Sequence, residues 1–151
     1  ERIKLTDAEA TKVIWKCPCI LNLSIFYKME PNLEWFQRRL NLSDARLSKI
    51  VQKSPRIIYL SKEKNLEPKL QWFQRRLLTK TESELAAVVE MMPTLLGCSI
   101  EKNLQPTLDF CIEAIGSRKS AIKIIKSCPM ILGYSLEKRL KPRLEEARDI
   151  G

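Results

Sequence analysis

Eight prolines recur at fixed spacings in this chain, and they constrain its fold more than any other feature. The first set, Pro18, Pro55, Pro93 and Pro129, recurs at intervals of 37, 38 and 36 residues. Each is followed thirteen residues later by a second proline, and these are Pro31, Pro68, Pro106 and Pro142. Self-similarity at this period is typical of stacked supersecondary units. The sequence therefore predicts one repeat domain over residues 1–151, with repeats at about 6–42, 43–80, 81–116 and 117–151.

The segment before each first proline has the pattern of an amphipathic helix. Apolar or small residues recur there at positions i, i+3, i+4 and i+7. The four sets are Ala10, Val13, Ile14 and Cys17; Leu47, Ile50, Val51 and Ser54; Leu85, Val88, Val89 and Met92; and Ala121, Ile124, Ile125 and Cys128. Thr6 and Thr81 each open a capping box, and Ser43 and Ser117 are N-cap candidates. Because proline disfavours the α conformation in the preceding residue, each of these helices should end directly before it.

A second helix is predicted to start at the second proline of each repeat. A short apolar link and a serine separate the two prolines, which indicates a 3₁₀ turn, and the second proline suits the first helical position. The expected buried positions are Leu33, Phe36 and Leu40; Leu70, Phe73 and Leu77; Leu108, Cys111 and Ile115; and Leu144 and Ala147. Gly116 and Gly151 are predicted to stop their helices. Paired helices of this kind bury both faces only by stacking, which predicts an all-α curved solenoid of either hand.

Repeats two and three share a longer motif between their two prolines. Each reads Pro-x-(Ile/Leu)-(Ile/Leu)-x-x-Ser-x-Glu-Lys-Asn-Leu-x-Pro-x-Leu, from Pro55 to Leu70 and from Pro93 to Leu108. Repeat four has Arg139 in place of the asparagine, and repeat one lacks the Glu-Lys-Asn-Leu core. This pattern resembles the motif of the mTERF (mitochondrial transcription termination factor) family, and the resemblance covers nearly the whole chain.

The resemblance implies a function that composition alone does not give. It implies a factor imported into mitochondria or chloroplasts by a transit peptide, which binds double-stranded DNA or structured RNA in the matrix or stroma. Such a factor would regulate transcription termination or another step of organellar gene expression. A monomer is expected. The alternative is a protein-binding helical scaffold that recruits an RNA-modifying enzyme or a ribosomal partner.

The charge of the chain is compatible with a polyanionic partner but is unevenly distributed. The net charge is +9, from 27 basic and 18 acidic residues. Residues 1–42 carry +2, 43–80 carry +7, 81–116 carry −5 and 117–151 carry +5. A polyanion should therefore lie mainly on repeats two and four. Acidic repeat three is the feature that favours the protein-binding alternative. No apolar run approaches the roughly 18 residues of a membrane span, so no membrane partner is expected.

Fourteen cationic side chains are the candidate nucleic-acid contacts. They comprise lysines at equivalent positions of the first helices, a group around the connectors, and arginines of the second helices. The residues are Lys12, Lys16, Arg39, Lys49, Lys53, Arg56, Lys62, Lys64, Arg75, Arg76, Lys123, Lys126, Lys138 and Arg139. Lysine and arginine suit this role because phosphate contacts position a protein on nucleic acid. The alternative is that they only solvate the surface.

The segment Trp-Phe-Gln-Arg-Arg-Leu occurs twice, at residues 35–40 and 72–77. Trp35 and Trp72 lie beside the predicted buried stripe, where they could seal the seam between repeats or stack on a base, and the seam is favoured. Glu34 and Arg38 are spaced as an i, i+4 pair, whereas Arg39 has no such partner within its own helix. Arg39 is therefore expected to be available to phosphate.

Catalytic and metal chemistry have little support in the sequence. The chain has no histidine, and its four glycines are isolated, so acid/base catalysis and phosphate loops lose their usual residues. We therefore expect no enzyme activity, no cofactor and no metal. Cys17-Pro-Cys19 has one intervening residue and no second cysteine pair to complete a zinc site. Five cysteines, an odd number, predict thiols in a reducing compartment and no disulfides.

Overall fold

The structure, a computed structural model, describes residue 3 and residues 5–150, without the side chains of residues 25 and 26. In this part of the chain there are eight α-helices and no strand. The helices are α1 Asp7–Lys16, α2 Glu30–Arg39, α3 Asp44–Lys53, α4 Glu67–Arg76, α5 Glu82–Met91, α6 Gln105–Ile115, α7 Arg118–Ser127 and α8 Lys141–Ile150. They alternate as the two helices of successive repeats, which confirms the all-α repeat fold.

The first helix of each repeat ends where the prolines predict. The residue between the helix and the proline leaves the helical conformation in every repeat, as Cys17 does with φ −150° and ψ 77°. At the start of α1, the Thr6 hydroxyl accepts from the Glu9 N–H and the Glu9 carboxylate accepts from the Thr6 N–H, so the capping box is confirmed. At α5, Thr81 accepts from the Glu84 N–H, but the Glu84 carboxylate accepts from the N–H of the preceding residue, Lys80.

A 3₁₀ turn follows the first proline in all four repeats, as predicted. The turns are Pro18–Asn22, Pro55–Ile58, Pro93–Gly97 and Pro129–Gly133. The apolar residues of these turns enter the core, and Ile57 and Ile58 are 1% and 2% exposed. The connector is therefore a packed part of each repeat.

The second helix of each repeat begins before the second proline, which corrects the prediction that this proline takes the first helical position. A π-helical turn precedes each one: Ile25–Met29, Lys62–Leu66, Ile100–Leu104 and Leu136–Leu140. In repeat two the Leu66 N–H donates to the Ser61 carbonyl, five residues earlier, over 3.0 Å. The Ser61 hydroxyl caps the turn by accepting from the Lys64 N–H. A proline ring clashes with the carbonyl four residues earlier in an α-helix, and a wider turn gives Pro68 room.

The chain divides into two compact units on either side of Gly97. In the first unit α1 packs against α3, α3 packs against α5, and the 3₁₀ turns of repeats two and three pack together. In the second unit α6 packs against α7 and against the 3₁₀ turn of repeat four. Equivalent elements of repeats one to three are thus neighbours within the first unit.

The predicted buried stripes are confirmed most fully in repeat two. Leu47, Ile50 and Val51 are at most 1% exposed, and Phe73 is 1% exposed. Burial of a side chain of this size stabilises the fold by about 1.5–3 kcal/mol. The stripe is wrong at four positions elsewhere, which are exposed: Ile14, Ile115, Ile124 and Ala147. In α7 the neighbouring Ile122 is buried in place of Ile124.

Leu144 of α8 is only half-buried, because no later helix covers this face within residues 5–150. Gly116 stops α6 in the left-handed conformation, with φ 72°, as predicted. Gly151 lies outside the described residues.

Residues equivalent to Gly116 end the second helices of repeats one and two without being glycine. Asn41 has φ 49° and Leu78 has φ 52°. The left-handed conformation costs an ordinary L-residue roughly 1 kcal/mol, and asparagine tolerates it better than leucine. Leu78 therefore carries local strain, and its side chain is 55% exposed, so it contributes little burial in return.

We expect Leu78→Gly to raise the free energy of unfolding by about 0.5–1 kcal/mol, because glycine adopts this conformation without a steric penalty. The reciprocal change, Gly116→Ala, should lower it by about 1 kcal/mol. No atom lies within 4 Å of a Cβ added at Gly116, so the second effect would come from the backbone alone. Urea unfolding of the two variants would check both signs, and a destabilised Leu78→Gly protein would contradict the assignment of strain.

Candidate nucleic-acid interface

Nine of the fourteen candidate cations project exposed side chains that form no ion pair within residues 5–150. These are Lys12, Lys49, Arg56, Lys64, Arg75, Arg76, Lys123, Lys138 and Arg139. Lys12 only adds a weak attraction to Glu9, whose pKa is lowered mainly by the hydrogen bond from the Thr6 backbone. Arg56 donates to the Tyr59 hydroxyl over 3.0 Å, which orients its guanidinium without neutralising it. These nine side chains can take a phosphate without breaking an ion pair.

Two of the candidate lysines, Lys16 and Lys53, bind backbone carbonyls of the next repeat. The Lys16 ammonium donates to the Gln52 carbonyl over 2.8 Å, and the Lys53 ammonium donates to the Glu90 carbonyl over 2.7 Å. Each acceptor lies in the last turn of the first helix of the next repeat. The last carbonyls of a helix have no partner within the helix, and a lysine there satisfies one of them and its negative dipole end. These two lysines therefore hold neighbouring repeats together.

The position of these lysines is occupied by Met91 in repeat three and by Ser127 in repeat four. Neither side chain can supply a cation to a neighbouring helix end. The lysines at equivalent positions of the first helices therefore have two different roles. Lys12, Lys49 and Lys123, which lie four residues before the position of Lys16 and Lys53, remain exposed to solvent.

Arg39 differs from the prediction, because it is not available as an unpaired cation. Its guanidinium donates to the Glu67 carboxylate over 3.0 Å and to the Gln74 side chain over 3.0 Å, both on α4 of the next repeat. Burial alone would raise the pKa of Glu67, but the bonds from Arg39 and Gln71 outweigh it and lower that pKa below its ordinary value of 4.5. No local sequence pattern predicts this pair, because its members lie 28 residues apart.

A similar ion pair uses one of the acidic residues of repeat three. Arg46 on α3 bonds to the carboxylate of Glu90 on α5, which also supplies the carbonyl bound by Lys53. Part of the negative charge of repeat three thus serves to join repeats two and three.

Two candidates remain. Lys62 pairs with the adjacent Glu63 over 3.4 Å in an exposed position. Lys126 is half-buried on α7.

Repeat four forms an open basic cleft of about 610 Å³ within the second unit. Its walls include Tyr134, Lys138, Arg139, Arg143 and Glu146. The Arg139 guanidinium lies over the Tyr134 ring, 3.9 Å from its centre, in a cation–π contact that holds it in place. Three cations face one acid, so the cleft attracts anions. Arg143, which is not one of the fourteen candidates, joins the candidates Lys138 and Arg139 in this cleft.

Of the two repeated tryptophans, Trp35 lies at the seam with the next repeat, as predicted, and Trp72 is buried. Trp72 is 8% exposed and meets Phe73 edge to face, with the ring centres 5.4 Å apart. Trp35 is half-buried and lines a cleft with Lys62 and Glu67 of the next repeat. These contacts leave little of either ring for a nucleic-acid base.

Two other aromatic side chains are much more exposed. Trp15 on α1 is 81% exposed, and Tyr27 in the following π turn is 87% exposed. Sequence reasoning missed both. The signal that could have found Trp15 is its position next to Ile14, outside the i, i+3, i+4 stripe of α1.

Neither a metal-binding cluster nor a membrane-spanning helix is found among the described residues. No three histidine, cysteine, aspartate or glutamate side chains among them converge as a metal site would require. None of the helices formed by these residues is both long enough and apolar enough to cross a membrane.

A family model described as mTERF matches residues 1–150, which is nearly the whole chain. No curated protein sequence matches the chain significantly. The match extends over all four repeats and both compact units.

We expect Lys53→Met to lower the free energy of unfolding by about 0.5–1 kcal/mol, because the Glu90 carbonyl loses a charged donor at a helix end. Methionine is the residue that repeat three has at this position, so the change is sterically suitable. Lys49→Met on the same helix is the matched control, since Lys49 is exposed and makes no such bond. Equal unfolding midpoints for the two variants would contradict the inter-repeat role.

The Arg39–Glu67 pair predicts a stability effect at acid pH. Because the folded-state pKa of Glu67 is lowered, the pair stabilises the protein above about pH 4.5 and loses this contribution as the pH falls through the lowered value. The difference in unfolding free energy between the wild type and Glu67→Gln should be about 1 kcal/mol near neutral pH and should shrink below pH 4.5. In an Arg39→Gln background the same comparison should lose this decline, and an unchanged decline would show that another group causes it.

Proposed function

Because the chain belongs to the mTERF family, we propose that it is an organellar nucleic-acid-binding factor. Its target would be double-stranded DNA or structured RNA in the mitochondrion or chloroplast. Binding would regulate transcription termination or another step of organellar gene expression. Proteins of this family are generally organellar and non-enzymatic, which supports a role through binding and not through catalysis.

The observation that carries the proposal is the set of nine exposed cations that lack acidic partners. A protein that carries charge only for solubility can pair its cations with nearby acids and still remain soluble. Here Glu34, Glu67 and Glu90 pair with arginines and Glu63 pairs with Lys62, and none of these acids pairs with the nine exposed cations. Such cations neutralise phosphates and release counterions, which is the main source of sequence-independent affinity for nucleic acid.

Repeats two and four would supply most of this binding, each within its own compact unit. In repeat two, Lys49 lies on α3, Arg56 in the 3₁₀ turn and Lys64 in the π turn, and all three are exposed. In repeat four, Lys138 and Arg139 line the basic cleft.

We expect the purified protein to bind duplex DNA or structured RNA with a steep salt dependence. If six phosphates are neutralised, the slope of log K against log[salt] should be roughly −5 on duplex DNA. The variant Lys49→Gln, Arg56→Gln, Lys64→Gln should bind more weakly and reduce the magnitude of that slope by about 3. Fluorescence anisotropy with labelled duplex DNA, structured RNA and single-stranded RNA at several salt concentrations would measure both.

A control variant of equal net charge distinguishes the loss of particular side chains from the loss of total positive charge. Lys28, Lys80 and Lys119 are exposed, lie outside the candidate set and can be changed together to glutamine. This variant has the same net charge as the first and should keep most of the affinity. Equal losses in the two variants would mean that no defined surface exists, and binding insensitive to salt would exclude phosphate contacts as its basis. Absence of binding at low salt would favour the protein-scaffold alternative.

A further inference from the structure

Two thiols at the end of the first helix approach each other unusually closely. The Sγ atoms of Cys17 and Cys19 are 2.9 Å apart, whereas a disulfide bond is about 2.05 Å long. Only Pro18 separates the two residues, and it opens the 3₁₀ turn that fixes the chain beyond α1. A small movement of one side chain would therefore bring the sulfur atoms to bonding distance.

The two thiols differ in their access to solvent. Cys19 is exposed, whereas Cys17 is buried and only 4% exposed. Burial raises the pKa of the Cys17 thiol above its ordinary value of 9.0, the neighbouring Cys19 raises it further, and a hydrogen bond from Tyr59 acts in the opposite direction. A reagent from solution would thus meet Cys19 first. Cys17 lies directly behind it, which is the arrangement of an attacking and a resolving cysteine.

The equivalent positions of other repeats show that packing does not require this pair. Ser54 takes the place of Cys17 in repeat two and is equally buried, at 5% exposure. Cys128 takes that place in repeat four, but Met130 stands where the second thiol would be. A hydroxyl therefore fits the position of Cys17. Cys128 has the equivalent position in repeat four but has no second thiol two residues later.

We propose that Cys17 and Cys19 form a reversible disulfide by exchange with a low-molecular-weight disulfide such as oxidised glutathione. The Cys19 thiolate attacks one sulfur of the reagent, forms a mixed disulfide and releases one glutathione thiolate. Cys17 then loses its proton to solvent, attacks the Cys19 sulfur and releases the second glutathione thiolate. Two protein thiols are oxidised by two electrons, and one glutathione disulfide is reduced to two thiols. This modification site is separate from nucleic-acid binding and does not depend on it.

The test is a redox titration of the whole chain. Protein is equilibrated at a series of ratios of reduced to oxidised glutathione, quenched in acid, alkylated and digested for mass spectrometry. The peptide that contains residues 17–19 should lose both alkyl labels together and become lighter by two hydrogen atoms relative to the dithiol. Cys98, Cys111 and Cys128 should remain labelled at ratios where the pair is oxidised, and burial raises the pKa of Cys111, which slows its reaction.

Two single variants separate the roles of the cysteines. Cys17→Ser, which copies Ser54, should accumulate a stable glutathione adduct on Cys19, because the resolving thiol is absent. Cys19→Ser should stay fully labelled at Cys17. Circular dichroism of both variants would show that the fold is retained. Full labelling of the wild-type pair under the most oxidising ratio would overturn the proposal, as would oxidation of Cys128 at the same ratio as the pair.

Discussion

The architecture depends on what proline cannot do in a helix. It has no N–H to donate, and its ring excludes the preceding residue from the α conformation and presses on the carbonyl one turn earlier. The first proline of each repeat therefore ends α1, α3, α5 and α7 and opens a 3₁₀ turn. The second is accommodated within a helix by a wider π turn, which is capped by a serine in repeats two to four. These two steric effects determine where the first helices end and the path of the connector in each repeat.

Helix length in turn determines how the repeats of the first unit join. Because equivalent helices end at equivalent places, a lysine at the end of one can reach the carbonyls at the end of the next, as Lys16 and Lys53 do. Arg39, at the end of α2, and Arg46, in the first turn of α3, also bond to acids of the following repeat. The basic residues of this chain thus divide into those that join repeats and those that remain on the surface. Only the second group is suited to a phosphate backbone.

The distribution of charge relates the fold to the proposed function. Repeat three is acidic in sequence, yet Glu90 is occupied in bonds to Arg46 and Lys53 and so belongs to the internal structure of the first unit. The cleft of repeat four keeps three cations around Tyr134 with a single acid among them. The thiol pair of repeat one lies in the same type of connector that presents Arg56 in repeat two. The connectors therefore carry the thiol pair and four of the nine exposed cations, while the other five project from the α-helices.

The sequence by itself determined the number of repeats, the ends of the first helices, the 3₁₀ turns and most of the buried residues, because these follow from proline sterics and from periodicity along one chain. It also identified the exposed cations as a class. Only the tertiary structure decided that Arg39, Lys16 and Lys53 are engaged, that Ile124 is exposed and Ile122 buried, and that Cys17 and Cys19 touch. These outcomes depend on how neighbouring helices are rotated and on which side chains meet across tens of residues. No local pattern encodes either quantity.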